Sequence, residues 1–299
     1  MSEVFTKPAL SHKEQVQLLR SRGMVVENLD EAEHFLANIN YYRLAAYWLP
    51  FEKDHATHKF IEGTTFLKVL NLYIFDRELR LLLLDAIERI EVAIRARWAY
   101  ELAHAFGPHA HLNRSIVRDG ENLNKDEGQL LTELLRSQEQ FIRHLRKKYA
   151  ERTPPIWATC EVMSLGLLSR YYGNLRPRAV RRRIAEPFDL NHGQLQSWLH
   201  HLAIVRNGCA HHARLWNREF TITPEPPKSR PSRLSNRWAP DSRKIFNTLL
   251  IVLHFMDVVA PDHSLRKRLI GLLQRHELPG GLQAMGFLPN STTDELHRV

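Results

Sequence analysis

The chain has 299 residues, and its 42 lysines and arginines exceed its 33 aspartates and glutamates, which leaves a net charge of +9 with neutral histidines. That length is enough to bury a real hydrophobic core. The two cysteines exclude a disulfide-dense secreted scaffold, and no apolar run is long enough to cross a bilayer. We therefore expect a cytoplasmic protein whose charge suits an acidic partner such as RNA or DNA, without a membrane anchor.

Hydrophobic residues recur with helical periodicity along most of the chain, which predicts an all-α protein with one core. Ser11 and Asn28 are typical N-caps for the first two helices, and Thr64 or Thr65 for the longest helix. The helices predicted before residue 110 lie at 12–21, 29–38, 41–51 and 64–106. A polar loop follows the third of them.

The second half continues in helices, with one region of different composition. Its predicted helices lie at 126–149, 156–172, 176–185, from 191 onward, 241–259 and 264–275. The helix from Asn191 carries an apolar stripe of six residues, namely Leu195, Trp198, Leu199, Leu202, Val205 and Cys209. Residues 220–223 suggest a short extended segment. Residues 224–240 hold five prolines among arginines and serines, so we predict a surface loop or arm there.

The most informative stretch closes the helix that begins at Asn191. It places five polar residues at the helix end, which are Arg206, Asn207, His211, His212 and Arg214. Because successive helical residues turn by about 100°, Asn207 and His211 share a face and Arg206 lies at its edge. These groups lie away from the apolar stripe, so they are free to line a cleft or a subunit interface.

This set of side chains has the chemistry needed to cleave RNA without a metal. A neutral imidazole accepts the proton of a ribose 2′-hydroxyl or protonates the leaving 5′-oxygen. A guanidinium holds the phosphate and stabilises its added charge, and an asparagine orients the imidazole. The alternative is structural, because basic residues at a helix end also interact with its last carbonyls.

Three basic runs are candidates for RNA-backbone contacts. The densest comprises Arg176, Arg178, Arg181, Arg182 and Arg183; the second comprises Arg143, Arg146, Lys147, Lys148 and Arg152; the third, in the proline-rich segment, comprises Lys228, Arg230, Arg233 and Arg237. Arg214 adds one cation beside the motif. Solvated helix faces are the alternative. Aromatic residues including Trp157, Trp198 and Trp216 are predicted to pack rather than to stack on bases. We expect no cofactor and no bound metal, because no recognised ligand spacing is present.

The motif resembles that of a known family. Arg206-Asn207 followed after three residues by His211 resembles the Arg-x4–6-His motif of HEPN-superfamily ribonucleases. The longer stretch to Asn217 resembles bacterial abortive-infection (Abi) proteins of the AbiD/AbiF type. Further matching segments lie in order along the chain, at residues 40–51, 76–80, 87–95, 155–157, 161–166, 197–199 and 285–287.

The resemblance implies a HEPN-like helical bundle with additional N- and C-terminal helices, in a single domain. Its core would span residues 64–220, after an extension at 1–63 and before an arm and helices at 221–299. Such proteins are usually homodimers in which two motif helices form one composite site. The implied activity is metal-independent endoribonuclease cleavage, toxic to the cell, in phage defence.

The resemblance also assigns roles to residues. Arg206 would bind the phosphate, His211 would be the acid or base, and Asn207 would orient it, with His212 as a supporting residue. Glu91 and Arg95 would support the site from a neighbouring long helix, or else form a mere surface pair. Two other functions stay open. One is a protein that binds a small non-coding RNA without cutting it, and the other is a helical protein-interaction module.

Overall fold

The computed structural model describes residues 4, 6, 8–228 and 230–297. These residues form thirteen α-helices, several 3-10 turns and one two-stranded sheet, so the predicted all-α class is confirmed. They divide into two compact units, one of residues up to 78 with 275–279, the other of 79–274 with the residues from 280 onward. The predicted divisions after residues 63 and 220 stay predictions.

The first unit begins with three short helices, and the caps of the first two were predicted from the sequence. They are α1 (His12–Ser21), α2 (Leu29–Asn38) and α3 (Tyr41–Trp48). Ser11 and Glu14 form a reciprocal capping box on α1, and the Asn28 side chain caps α2. The third prediction ends early, in a 3-10 turn at Leu49–Phe51. An antiparallel hairpin follows, β1 (Glu52–Asp54) with β2 (Lys59–Phe60), where only a loop was predicted.

The longest element is α4 (Phe66–Phe106), of 41 residues. The backbone N–H of Lys68 donates to Thr65 Oγ1 over 3.1 Å, which selects Thr65 between the two predicted caps. Residues up to 78 belong to the first unit and the rest of the helix to the second. The helix ends at Gly107, whose φ of +87° suits glycine and stops the helical path.

The second unit contains the rest of α4 and all the other described helices. Its remaining helices are α5 (Gly120–Arg136), α6 (Gln140–Lys148), α7 (Ile156–Thr159), α8 (Leu165–Asn174), α9 (Arg178–Ala185), α10 (His192–Ala210), α11 (Ser232–Ser235), α12 (Phe246–Val259) and α13 (Leu265–Arg275), the last residue of which falls in the first unit. α10 packs against α8 and α9, and α8 also packs against α5. α12 is buried on every side from Phe246 to Met256, which is typical of a central helix.

Two predicted long helices are each broken by a serine. The helix predicted at 126–149 is wrong, because α5 and α6 are separated at residues 137–139. There Ser137 Oγ accepts from the backbone N–H of Glu139, and such local bonds compete with a helix. The helix predicted at 156–172 is also wrong. A 3-10 turn at Cys160–Val162 follows α7, and Ser164 then caps α8 by accepting from Leu167 N–H.

Further elements differ from the predictions. Pro177 delays α9 to Arg178, since proline restricts the residue before it and donates no hydrogen bond. α12 begins at Phe246, five residues later than predicted. Residues 220–223 form no strand.

Among the described helices, none combines the length and the apolar character that crossing a membrane requires.

The described part of the proline-rich segment at 224–240 lies partly exposed at the surface, as predicted for a surface loop, and it also packs onto α10. Trp198 Nε1 donates to the carbonyl of Glu225, and Gln194 Nε2 donates to the carbonyl of Arg230, each over 2.8 Å. The rings of Trp198 and Trp238 stack with centroids 6.1 Å apart. Side chains of the helix therefore satisfy the carbonyls of a segment that has few backbone donors of its own.

Candidate functional site

The candidate site lies at the C-terminal end of α10. Asn191 and Gln194 form a capping box at the other end, which confirms the predicted start of the helix. All six residues of the predicted apolar stripe are buried, including Cys209. Burial of this stripe fixes the rotation of α10 about its axis. Rotation in turn decides which of the polar residues at the helix end reach the surface.

The helix keeps its hydrogen bonding to the motif histidine. His211 is the C-cap residue, and its backbone N–H donates to the carbonyl of Asn207 over 2.9 Å. The two residues are therefore one helical turn apart, and both are exposed. His212 then adopts a left-handed φ of +58°, and Ala213 N–H donates to the carbonyl of Gly208, which closes the helix. Gly208 thus serves the helix end without breaking the helix.

Arg206 lies beside a carboxylate from another helix. Its side chain is 38% exposed, and its Nε atom lies 3.9 Å from Glu91 Oε2 of α4. Its Nη1 atom donates to Asn207 Oδ1 over 3.2 Å. The guanidinium is thereby oriented on two sides while keeping a solvent-facing part. A phosphate oxygen approaching that part would meet an oriented cation.

Glu91 is joined to a second arginine that is held by backbone carbonyls. Its side chain is only 7% exposed and forms an ion pair with Arg95. Arg95 in turn donates to the carbonyl of Glu161 over 3.2 Å and to the carbonyl of Met163. The predicted alternative of a surface pair is therefore wrong. Packing of α4 against the 160–163 turn converts an i,i+4 pair into a buried link behind Arg206.

The surroundings of Glu91 oppose its ionisation only in part. Burial raises the pKa of this carboxyl above its ordinary value, and the nearby carboxylates of Glu88 and Glu133 add to that effect. Arg95 and Arg206 act in the opposite direction by favouring the charged form. Glu133 itself accepts hydrogen bonds from the backbone and hydroxyl of Ser164. Glu133 was not predicted as a functional residue, because its only signal in the sequence is its place on an amphipathic helix.

The structure separates the residues of the densest basic run. Arg181 is 2% exposed, its guanidinium stacks 5.4 Å from the Tyr172 ring centre, and it donates to Gln196 Oε1. The prediction that Arg181 contacts RNA is therefore wrong, because its charge lies inside the protein. Arg176, Arg178 and Arg182 are exposed, and Arg183 is exposed but paired with Glu101 at 2.7 Å.

The cations of the proline-rich segment are mostly paired. Arg230 Nε lies 3.9 Å from an Asp189 carboxylate oxygen, Arg233 contacts Asp257 and His254, and Arg237 Nε lies 3.6 Å from Glu295. Lys228 is exposed. Arg214 and His212 flank the motif, half-buried and exposed respectively, and both make further contacts. The roles predicted for these residues stay predictions.

The structure also tests the packing role predicted for three tryptophans. Trp198 and Trp216 are buried as predicted, but Trp157 is 55% exposed, so its predicted packing role is wrong.

Within the described ranges, no three histidine, cysteine or acidic side chains come together as metal ligands. The buried histidines are instead held as hydrogen-bonding groups. His201 Nδ1 lies 2.8 Å from the carbonyl of Ile222, and Nε2 lies 2.8 Å from Thr248 Oγ1.

The family comparison agrees with the position of the motif. A family model described as Abi-like protein matches residues 34–217, which is more than half of the chain and includes the whole site around Arg206. Among curated proteins and solved structures, none is similar enough to count as a match. The chain therefore belongs to the Abi-like protein family, and this membership supports a role in abortive infection, a defence against phage.

Proposed function

We propose that this protein is a metal-independent endoribonuclease of the HEPN type. The observation that carries the proposal is the Arg206 guanidinium, oriented by Glu91 and Asn207, with Asn207 one helical turn from the exposed His211. Cation, hydrogen-bonding amide and imidazole are the groups that phosphodiester cleavage by an internal hydroxyl requires.

The proposed reaction uses the ribose 2′-hydroxyl of the RNA as nucleophile. Its oxygen attacks the adjacent phosphorus, and the bond to the 5′-oxygen of the next nucleotide breaks. The products are a 2′,3′-cyclic phosphate and a 5′-hydroxyl. One proton leaves the 2′-oxygen and another reaches the 5′-oxygen. DNA lacks the nucleophile and would stay intact.

The two proton transfers favour a homodimer, which is part of the proposal. Each chain supplies one motif histidine, so His211 of one copy would act as base while the second copy's imidazole acts as acid. Asn207, His211 and His212 are exposed at the end of α10, where a second copy would find them accessible. Arg206 would stabilise the charge that develops on the phosphate.

Glu91 is assigned a positioning role. Arg95 already balances its charge, so the three side chains together keep one net positive charge toward a phosphate. Arg95 donates hydrogen bonds to backbone carbonyls and therefore holds the Glu91 carboxylate in place. The Glu91 carboxylate in turn orients the Arg206 guanidinium. Exposed Arg178 and Arg182 on α9 would add sequence-independent contacts to the RNA backbone.

The test is cleavage of a labelled single-stranded RNA in EDTA. We expect His211→Ala to slow cleavage by about 10²–10⁴-fold and Arg206→Ala by about 10²–10³-fold. His200→Ala is the matched control, since His200 is also exposed on α10, and it should cleave at the wild-type rate. The products should carry cyclic phosphate ends.

Two results would contradict the proposal. Cleavage that persists unchanged in both variants would come from another site or from a contaminant. Salt-sensitive RNA binding without any scission by the wild-type protein would identify a non-catalytic RNA-binding protein instead.

A further inference from the structure

A recess in the second unit lies apart from the motif in sequence and in its lining residues. It has a volume of about 250 Å³ and lies beside α5. Its charged and polar lining consists of Arg114, Arg152, Glu127 and Thr153. Two arginines and one glutamate therefore line a common space.

The remaining walls of the recess are apolar. They are formed by Leu112, Leu130 and Leu131. Its volume is slightly below the roughly 300–1,000 Å³ of sites for drug-sized ligands. The recess therefore suits a single planar group with a charged substituent better than an extended polymer segment.

Thr153 connects the recess to a buried histidine. Thr153 and His111 are both nearly fully buried, and His111 Nε2 lies 2.9 Å from Thr153 Oγ1. Burial lowers the pKa of His111 to about 3, so the ring is neutral at neutral pH. Its Nδ1 atom has no hydrogen-bond partner among the described residues.

This arrangement selects one tautomer of the ring. A buried N–H without an acceptor costs more free energy than an unused lone pair, and Nδ1 has no acceptor. The ring proton therefore lies on Nε2, which donates to Thr153 Oγ1. The hydroxyl proton of Thr153 is then available for another acceptor. A phosphate oxygen in the recess is such an acceptor.

The charges restrict the chemistry of a ligand. The pair Arg114 and Arg152 suits a phosphate, and Arg114 is held in place by donating to Asn124 Oδ1. Glu127 would repel a simple anion, so the ligand must also present N–H donors. Guanine presents a ring N–H and an amino group side by side on one edge, which match the two oxygens of a carboxylate. Adenine presents only an amino group there.

We propose that this recess binds a guanosine 5′-monophosphate group, either as a free nucleotide or as the 5′ end of an RNA. The two arginines and Thr153 hold the phosphate, Glu127 reads the guanine edge, and the three leucines pack against the base. The site is independent of RNA cleavage, because it contains no residue of the motif.

The experiment is titration calorimetry of the full chain with GMP, AMP and inorganic phosphate. We expect GMP to bind more tightly than either of the other two. Arg114→Gln and Arg152→Gln should each weaken GMP by about tenfold or more. Glu127→Gln should remove the preference for GMP over AMP. Arg136→Gln is the matched control, an exposed arginine at the end of α5 outside the recess, and it should bind like the wild type.

Two oligonucleotides starting with guanosine distinguish the sources of the ligand, one with a 5′-phosphate and one with a 5′-hydroxyl. Tighter binding of the 5′-phosphorylated RNA than of GMP assigns the RNA end, and the reverse order assigns the free nucleotide. Absence of GMP binding, equal binding of inorganic phosphate, or unchanged binding in the arginine variants would overturn the proposal. The substituted arginines are exposed, so loss of folding does not confuse the result.

Discussion

Two histidines on the same helix have opposite environments. His201, in the middle of α10, is buried and contacts Ile222 and Thr248 through both ring nitrogens. Burial lowers its pKa to about 4. His211, at the end of the helix, is exposed and lies one turn from Asn207. The same residue type is therefore buried and hydrogen-bonded at one position and exposed to solvent at the other.

The neighbouring arginines of α9 repeat the contrast. Arg181 is buried against Tyr172, whereas Arg182 is exposed. In both pairs, residue type is shared and the orientation of the helix face decides the role. The contrast yields four predictions, which begin with the largest expected effect.

Exchange of each histidine for alanine separates stability from function. His201→Ala should lower the free energy of unfolding by about 3 kcal/mol, because it removes a buried ring and the partner of Thr248. His211→Ala should change it by less than about 0.5 kcal/mol, as exposed substitutions do. Urea unfolding at pH 7.5 measures both. Equal losses of unfolding free energy in the two variants would contradict the difference between the two histidines.

Acid should reveal the buried histidine. Between the ordinary pKa near 6.5 and the lowered value near 4, the unfolded chain binds a proton at His201 that the folded chain excludes. Stability is therefore lost as pH falls through this window, by about 2 kcal/mol between pH 7 and pH 5 from this residue.

The measurement is urea unfolding of wild type and His201→Gln at both pH values. The wild type should lose about 2 kcal/mol more than the variant. Asn207→Gln, at an exposed residue of the same helix that does not titrate, is the control and should show the wild-type pH dependence. A His201→Gln variant with the full wild-type loss would contradict the assignment.

Loss of the carboxylate behind Arg206 should affect the rate of RNA cleavage more than RNA binding. Glu91→Gln should lower kcat by about tenfold, because Arg206 loses the carboxylate that orients its guanidinium. KM should change little, since Glu91 is buried away from the RNA. Glu88→Gln is the matched control, one turn earlier and exposed. A rise in KM with unchanged kcat would exclude the positioning role.

The smallest effect concerns the two arginines. Arg182→Gln should reduce the slope of log K against log salt for RNA binding by about 1, without loss of stability. Arg181→Gln should leave that slope unchanged and lower stability, because it disrupts a buried contact with Tyr172. RNA titrations at several salt concentrations decide between them. An unchanged slope in Arg182→Gln would show that α9 does not face the RNA.

Local signals account for the predictions that succeeded. Ser11, Asn28 and Asn191 cap their helices as their side chains and positions indicate. The six-residue stripe of α10 is buried, since its spacing leaves one apolar face. Each depends on residues within a few positions of one another. The motif Arg206, Asn207 and His211 is likewise local, and the helix face shared by Asn207 and His211 follows from the helical repeat.

Contacts between distant segments account for what was not predicted from the sequence. Nothing near residues 224–240 indicates that Trp198 and Gln194 bind their carbonyls. Arg181 is buried because Tyr172 and Gln196 surround it, and the run of arginines gave no sign of that. The breaks in two helices depend on whether a serine hydroxyl accepts from the backbone N–H of a residue two or three positions later, which competes with the helix at nearly equal energy.

By itself the sequence determined the all-α class, the caps, the buried face of α10 and the identity of the motif residues. Each follows from short-range geometry and from the side chains present. Only the tertiary structure decided which charged residues meet. Glu91 and Arg206 lie more than a hundred positions apart, and packing of α4 beside α10 brings their side chains within 3.9 Å. Burial depends on the whole fold, so it sets the environment of each charge after the sequence has supplied its chemistry.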